Sequence, residues 1–189
     1  MKCDSQQEII ISGFGGQGIL FLGKFIASIA AGEGYHVTYI PSYGVEVRGG
    51  TANCTVIYSR EEIASPVTVS PTTVFAMNMP SVIKFCPRLR KDGLLMYNSS
   101  LVKKEPERTD ISKLPVPAND IAEAAGDKRT ANIVMLGAYL ACCNLAEVEK
   151  TGCMLKKSLK GKEELTDVNI KALAGGYEFA GGWKSKSAR

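Results

Sequence analysis

Two segments of the chain combine residue types and spacings that can do chemistry. The first, Gly13-Phe14-Gly15-Gly16-Gln17-Gly18, meets the pattern G-x-G-x-x-G between a β-branched run and an apolar-periodic stretch. In that context Gly13 is expected to permit a tight turn, Gly15 to let backbone approach an anion, and Gly18 to let the following helix pack on the strand. The free N–H groups at the helix start favour negative charge. The second segment runs from Tyr43 to Asn53 and holds Glu46, Arg48, Gly49, Gly50 and Thr51. Arg48 offers a planar donor fork suited to a carboxylate or phosphate, Glu46 can pair with it or face a partner's cation, and the glycines allow close approach. The candidate binding set is therefore Gly13, Gly15, Gly16, Gln17, Gly18, Glu46, Arg48, Gly49, Gly50 and Thr51.

Each segment also has a plainer reading. A dinucleotide site needs an acidic residue at the end of the second strand to hold the ribose hydroxyls, and Tyr39, Ile40, Pro41 and Ser42 occupy that place. Glu33 has the right spacing but falls at the helix end, and no Lys-Ser/Thr follows the loop, which excludes a P-loop. What remains is another anion, a self-contained NAD-type protein that departs from the pattern, or close backbone packing without a ligand. The Glu46–Arg48 pair can equally steady a glycine-rich turn. His36 sits in a strand-like run with no acid or nucleophile near it in sequence. Cys142 and Cys143 read as packing residues, and Lys156, Lys157, Lys160 and Lys162 as a solvated helix face that can alternatively meet an acidic partner. No catalytic residue is assigned.

The elements that must position these loops follow from periodicity. Glu8–Ser12 reads as a buried strand stopping at Gly13, and Ile19, Leu22, Ile26 and Ile29 define one face of a first helix closed by Gly32 and Gly34. Tyr35–Ile40 is a second strand, so the first forty residues form a βαβ unit, a Rossmann-like start with parallel strands. Strands are expected over 51–58, 73–77 and 93–97, a helix over 80–85, and an edge or connecting segment at Leu114–Pro117. Asn119-Asp120 is expected to cap a short helix through Ala125. Thr130–Asn144, apolar nearly all round, predicts a helix buried against the sheet or a partner subunit. Two more helices follow over 147–159 and 163–179, before Gly181-Gly182 releases a polar tail. The fold class is α/β: a single domain over 1–180 with a mainly parallel sheet and helices on both faces, and a tail over 181–189.

Composition agrees with one soluble domain. The 189 residues are 45% hydrophobic and 22% charged with a net charge of +4, and mean hydropathy is near zero. These values exclude disordered and membrane-embedded classes, and the excess positive charge is too diffuse for a nucleic-acid stripe. The longest apolar stretch, Ile133–Cys143, is too short to span a bilayer and no signal peptide is seen, so a cytoplasmic location is expected. The six cysteines contain no C-x-x-C pair and there is one histidine, so no metal site is predicted and the cysteines are read as reduced core residues.

Three segments together carry a resemblance: I-I-I-S-G-F-G-G-Q-G-I from Ile9 to Ile19, S-Y-G-V-E-V-R-G-G-T-A-N-C from Ser42 to Cys54, and A-M-N-M-P-S from Ala76 to Ser81. In this order and spacing they resemble the gamma subunit of 2-oxoacid:ferredoxin oxidoreductases over nearly the whole chain, with Glu46 and Arg48 matching that family's G-x-E-x-R-G-G loop. Relatives commonly carry proline where this chain has Val45. The resemblance implies a complex with alpha and beta (thiamine-binding) and delta (ferredoxin-like) subunits, and ferredoxin as acceptor. The complex would use thiamine diphosphate, Mg²⁺ and iron–sulfur clusters to convert a 2-oxoacid and coenzyme A to acyl-CoA and carbon dioxide. This chain lacks a thiamine diphosphate pattern and cluster cysteines, so those cofactors are expected on partner chains, none on this one. The resemblance implies a supporting role in assembly and in the coenzyme A cleft, with 2-oxoglutarate the nearest substrate class and branched-chain 2-oxoacids and pyruvate behind it. No nucleic acid or membrane partner is implied, and the isolated chain can self-associate as a homodimer.

Overall fold

The computed structural model describes residues 6–43, 51–159 and 163–187. Strand β1 (Gln6–Phe14) leads through the glycine loop into helix α1 (Ile19–Gly32), then β2 (His36–Tyr43) and β3 (Thr51–Ser59). After a loop come β4 (Thr73–Ala76), α2 (Met79–Phe85), β5 (Leu94–Asn98), β6 (Ser112–Val116) and α3 (Ala118–Ala125). Helices α4 (Ala131–Cys143), α5 (Val148–Ser158) and α6 (Glu163–Ser187) complete the chain. The six strands form one sheet in the order β2-β3-β1-β4-β5-β6.

Neighbours β1, β4, β5 and β6 are parallel, whereas β3 runs antiparallel to both β1 and β2. Strand β2 therefore runs in the same direction as β1, as a βαβ unit requires, but β3 lies between them. The reason is chain length: residues 44–50 join β2 to β3, and a parallel crossover needs a dozen or more residues. The expected α/β domain with a mainly parallel sheet is thus a mixed sheet with one reversed strand.

Alternation along the buried strands sends side chains to two cores. Ile9, Ile11, Phe75, Leu94, Met96 and Leu114 pack with α1, α3, α4 and α6 on one face. Ile10, Val74, Leu95 and Tyr97 pack with Val82 and Phe85 of α2 on the other, so helices cover both faces, as period-2 burial on both sides of a strand demands. All thirteen residues of α4 are buried, and the burial is supplied within the chain. A Cβ at Gly137 would lie 2.0 Å from the Leu173 carbonyl oxygen of α6, and one at Gly176 2.0 Å from that of Val134, so glycines set the close approach of the two helices. The Tyr139 hydroxyl of α4 meets that of Tyr58 on β3 at 2.8 Å, and burial pushes the Tyr139 phenol well above its ordinary pKa.

Two boundaries differ from the periodicity. Asn119 does not cap α3; the helix begins after Pro117, and the N–H groups of Asn119 and Asp120 donate instead to Ser100 Oγ, a cap borrowed from the loop after β5. Helix α6 continues through Gly181 and Gly182 to Ser187 rather than stopping there. Of the five described cysteines, Cys54, Cys86, Cys142 and Cys143 are buried and Cys153 is exposed, against the expectation of core residues throughout.

Candidate functional site

The glycine loop lies where β1 ends, at the carboxyl edge of the sheet, and three other elements meet it there. Gly13 belongs to the strand rather than to the turn: it pairs with Ala52 of β3, and a Cβ on it would lie 2.6 Å from Gln17 Oε1 and 2.7 Å from Ile19 Cδ1. The strand runs two residues past the expected end at Ser12, to Phe14, and the left-handed residues of the loop are Gly16, at φ 96°, and Gly18, at φ 70°. Left-handed backbone at those two positions requires glycine far more than the turn at Gly13 does.

Gln17 closes the loop on itself. Its backbone N–H donates to the Phe14 carbonyl at 3.2 Å, and its side-chain oxygen accepts from the Phe14 N–H at 2.7 Å and from Asn78 Nδ2 at 3.2 Å. Asn78 is the N-cap of α2, accepting from the Ser81 N–H at 2.9 Å and from the Ser81 hydroxyl at 2.8 Å. With the Ser81 proton committed to Asn78, the Ser12 hydroxyl donates to Ser81 Oγ at 2.9 Å. The Met77 N–H donates to the Ser12 carbonyl at 2.9 Å. The loop is thus braced by the start of α2, through half-buried Gln17 and the buried side chains of Ser12, Asn78 and Ser81.

On its other side the loop rests on α4. Asn132 Nδ2 donates to the Gly18 carbonyl at 3.3 Å, while its Oδ1 accepts from the Ile133 N–H at 3.0 Å. Gly18 is the N-cap of α1 and offers no side chain, and the first turn carries no acidic residue. The first N–H groups of α1 have no intrahelical partner, and the edge they face favours negative charge.

The register brings the second segment to the same edge. Thr51 pairs with Phe14, and Tyr43 with Ala52, so the chain leaves β2 and re-enters β3 beside the glycine loop. Glu46, Arg48, Gly49 and Gly50 lie outside the described residues; Thr51 is the first residue of β3. Of the candidate set, the structure brings Gly13, Gly15, Gly16, Gln17, Gly18 and Thr51 together at one edge. His36 and Glu33 are at the opposite end: His36 pairs with Ser59, which also faces Gln6, and Glu33 pairs with Lys150 at 2.6 Å and accepts at its carbonyl from Arg60. Glu33 is therefore no ribose ligand for the loop.

Beneath α1, a Cβ on Gly23 would lie 2.3 Å from Cys54 Sγ, so Gly23 supplies the close helix–strand packing expected of Gly18. Burial pushes the Cys54 thiol up to about 12, which leaves it a packing group. Among the described residues no group of three His, Cys, Asp or Glu side chains comes together as metal ligands. The Mg²⁺ and iron–sulfur clusters that the resemblance implies for a complex find no such group of ligands among the described residues. Two bracing residues carried no assigned role in the sequence reading. Asn78 is legible as a cap directly before Met-Pro, and Asn132 is the one amide inside an otherwise apolar helix.

A glycine loop at the carboxyl edge of a mixed α/β sheet, beside the end of β2 and the start of β3, defines an α/β domain with helices on both faces. Residues 8–179 match the model of the pyruvate ferredoxin/flavodoxin oxidoreductase family, and the chain belongs to that family. It is 36% identical over 177 residues to the ketoisovalerate oxidoreductase subunit VorA of Methanothermobacter marburgensis, covering 92% of this chain and 36% of that protein. The chain therefore spans about a third of the length of that relative. It is 33% identical over 180 residues to the 2-oxoglutarate synthase subunit KorC of Methanocaldococcus jannaschii, covering 93% of this chain and 94% of that subunit. The crystal structure of a keto/oxoacid ferredoxin oxidoreductase gamma subunit from Geobacter sulfurreducens PCA superposes with a TM-score of 0.78 at 28% identity, over 92% of this chain and 98% of that one.

Proposed function

We propose that this chain is the gamma subunit of a 2-oxoacid:ferredoxin oxidoreductase acting on 2-oxoglutarate, in a complex that forms acyl-CoA and carbon dioxide and reduces ferredoxin. The observation that supports the reading is the match over 93% of this chain and 94% of a subunit named for 2-oxoglutarate. Identity to the ketoisovalerate relative is slightly higher, and this favours a branched-chain 2-oxoacid as the second reading.

Within such a complex the chain's own contribution is non-redox. The start of α1 behind the glycine loop offers backbone N–H groups, and Arg48 belongs to the sequence that links β2 to β3, whose ends lie at the same edge; N–H groups and a guanidinium are both suited to phosphate groups of coenzyme A. Thiamine diphosphate and cluster chemistry then belong to alpha, beta and delta partner chains.

The reading is tested by co-expressing the chain anaerobically with candidate alpha, beta and delta chains. Coenzyme A-dependent reduction of ferredoxin or a viologen dye is assayed with 2-oxoglutarate, branched-chain 2-oxoacids and pyruvate, with and without this chain. Activity that requires the chain and is fastest with 2-oxoglutarate is the expected result. An active complex that forms without the chain overturns the reading. Arg48→Ala is expected to raise the KM for coenzyme A with little change in complex yield; an unchanged KM removes Arg48 from the cleft.

A further inference from the structure

We propose that the groove between α1 and α5 is a docking site for a protein segment that presents apolar anchors flanked by carboxylates. The groove has a volume of about 510 Å³ and is lined by Phe21, Lys24 and Phe25 of α1 and by Met154 and Lys157 of α5. Its floor is aromatic: the Phe21 and Phe25 rings stack with centroids 5.6 Å apart and planes within 10°. Phe25 is buried, whereas Phe21, on the first turn of α1, is 40% exposed. A rigid, partly exposed aromatic beside an adaptable methionine is the kind of pocket that an apolar anchor fills, and such pockets concentrate binding energy.

Charge decides which segment fits. Helix α1 contains no acidic residue, and α5 contains none after Glu149, while Lys156 and Lys157 stand in its last turn. Lys24 and Lys157, the two lysines that line the groove, join no ion pair among the described residues. An apolar floor under an unmatched basic rim is complementary to an amphipathic segment with acidic flanks, and it repels a basic one. The groove opens on the side of α1 and holds none of the glycine-loop residues, so its occupant is distinct from any anion at the sheet edge. The inference does not depend on the oxidoreductase reading.

The test uses the full chain and fluorescein-labelled helical peptides of about 16 residues, with Leu and Phe at i, i+3, i+4 and i+7 and either Glu or Lys on both flanks. Fluorescence anisotropy is expected to show the Glu-flanked peptide binding at least about tenfold more tightly than its Lys-flanked counterpart, with affinity falling as salt rises. Phe21→Ala, and Lys24→Glu with Lys157→Glu, are each expected to weaken it about tenfold. Lys91→Glu, an exposed change outside the groove, is expected to leave it unaltered. All four positions are exposed, and circular dichroism confirms that each variant folds. Equal affinity for the two peptides, absence of binding by the unmodified chain, or indifference to the groove variants overturns the proposal. Capture of phosphatidylglycerol vesicles without peptide binding overturns it in favour of a lipid surface. A dimer of the unmodified chain that Phe21→Glu dissociates overturns it in favour of self-association. If the co-expressed complex also fails to form, the family-based reading falls separately, because the peptide measurement requires no other subunit.

Discussion

The side-chain amide of Asn132, at the start of α4, donates to the carbonyl of Gly18, 114 residues earlier, and occupies the place where a Cβ on Gly18 would stand, 2.3 Å from its Nδ2. The end of the glycine loop and the most deeply buried helix are therefore fitted to one another. Gly18 also holds a left-handed backbone at φ 70°, as Gly16 does at φ 96°, but a Cβ on Gly16 would meet nothing within 4 Å.

Alanine at the two glycines separates backbone strain from steric fit. Gly16→Ala is expected to cost about 1 kcal/mol, the left-handed penalty alone. Gly18→Ala adds the collision with Asn132 and is expected to cost about 2–4 kcal/mol. In the Gly18→Ala background, Asn132→Ala removes the collision, so the double variant is expected to be more stable than the sum of the single losses predicts. Urea unfolding of the four chains measures this; additive losses would mean that the two residues do not share the space.

Asn78 ties the loop to α2 with three bonds, two accepted from Ser81 and one donated to Gln17. Asn78→Ala removes a helix cap and strands the buried Ser81 hydroxyl, at an expected cost of about 2 kcal/mol. Asn78→Ser keeps a capping oxygen and is expected to lose about half as much. Thermal unfolding of both variants decides, and a loss below about 0.5 kcal/mol for the alanine variant would show that the brace is not needed for the loop.

Close approach of α4 and α6 makes a third prediction. Gly176→Ala would push a methyl to within 2.0 Å of the Val134 carbonyl oxygen, and helix backbones cannot move aside without opening the core. A loss of about 3 kcal/mol or more, or failure to fold, is expected. Gly181→Ala on the same helix meets nothing within 4 Å and is expected to stabilise by about 0.5–1 kcal/mol, because alanine raises helix propensity. Parallel denaturant titrations of the two variants should give opposite signs.

These glycines show where the sequence was readable and where it was not. The type of each element followed from periodicity: α1 from the apolar spacing of Ile19, Leu22, Ile26 and Ile29, and α4 from a run that is buried at every position. The placement of β3 between β1 and β2 did not follow from pattern, because a β-branched strand reads the same in either direction; the seven-residue link over 44–50 was the legible clue. At the site, the glycine loop was evident from its pattern, but the role of Gly13 was not, since a glycine that admits Gln17 and Ile19 looks in sequence like one that turns the chain. Asn132 was hidden for the same reason: its partner, Gly18, is close only after folding. The helix end at Gly181-Gly182 failed as a signal because a helix tolerates exposed glycine at modest cost.

Thiol chemistry gives the last prediction, with its pH dependence. Cys153 is exposed on α5, whereas Cys54 is buried under Gly23 of α1 and its thiol is pushed by desolvation from 9.0 to about 12. At pH 8 the Cys54 thiolate is on the order of one part in ten thousand, and no reagent reaches it while α1 is packed. Iodoacetamide at pH 8 with mass mapping is therefore expected to modify Cys153 within minutes and to leave Cys54 intact until the chain unfolds. The sign for stability follows from linkage: the folded thiol binds its proton more tightly than the unfolded one. The stabilisation is complete below pH 9 and is lost as pH rises from about 9 towards 12, where the unfolded thiol ionises and the folded one does not. Cys54→Ala removes the ionisable group, so its stability should fall less steeply than that of the unmodified chain over the same interval. Equal slopes, or early labelling of Cys54 in the native chain, would show that α1 opens over β3 and that the helix on which the glycine loop depends is not firmly seated.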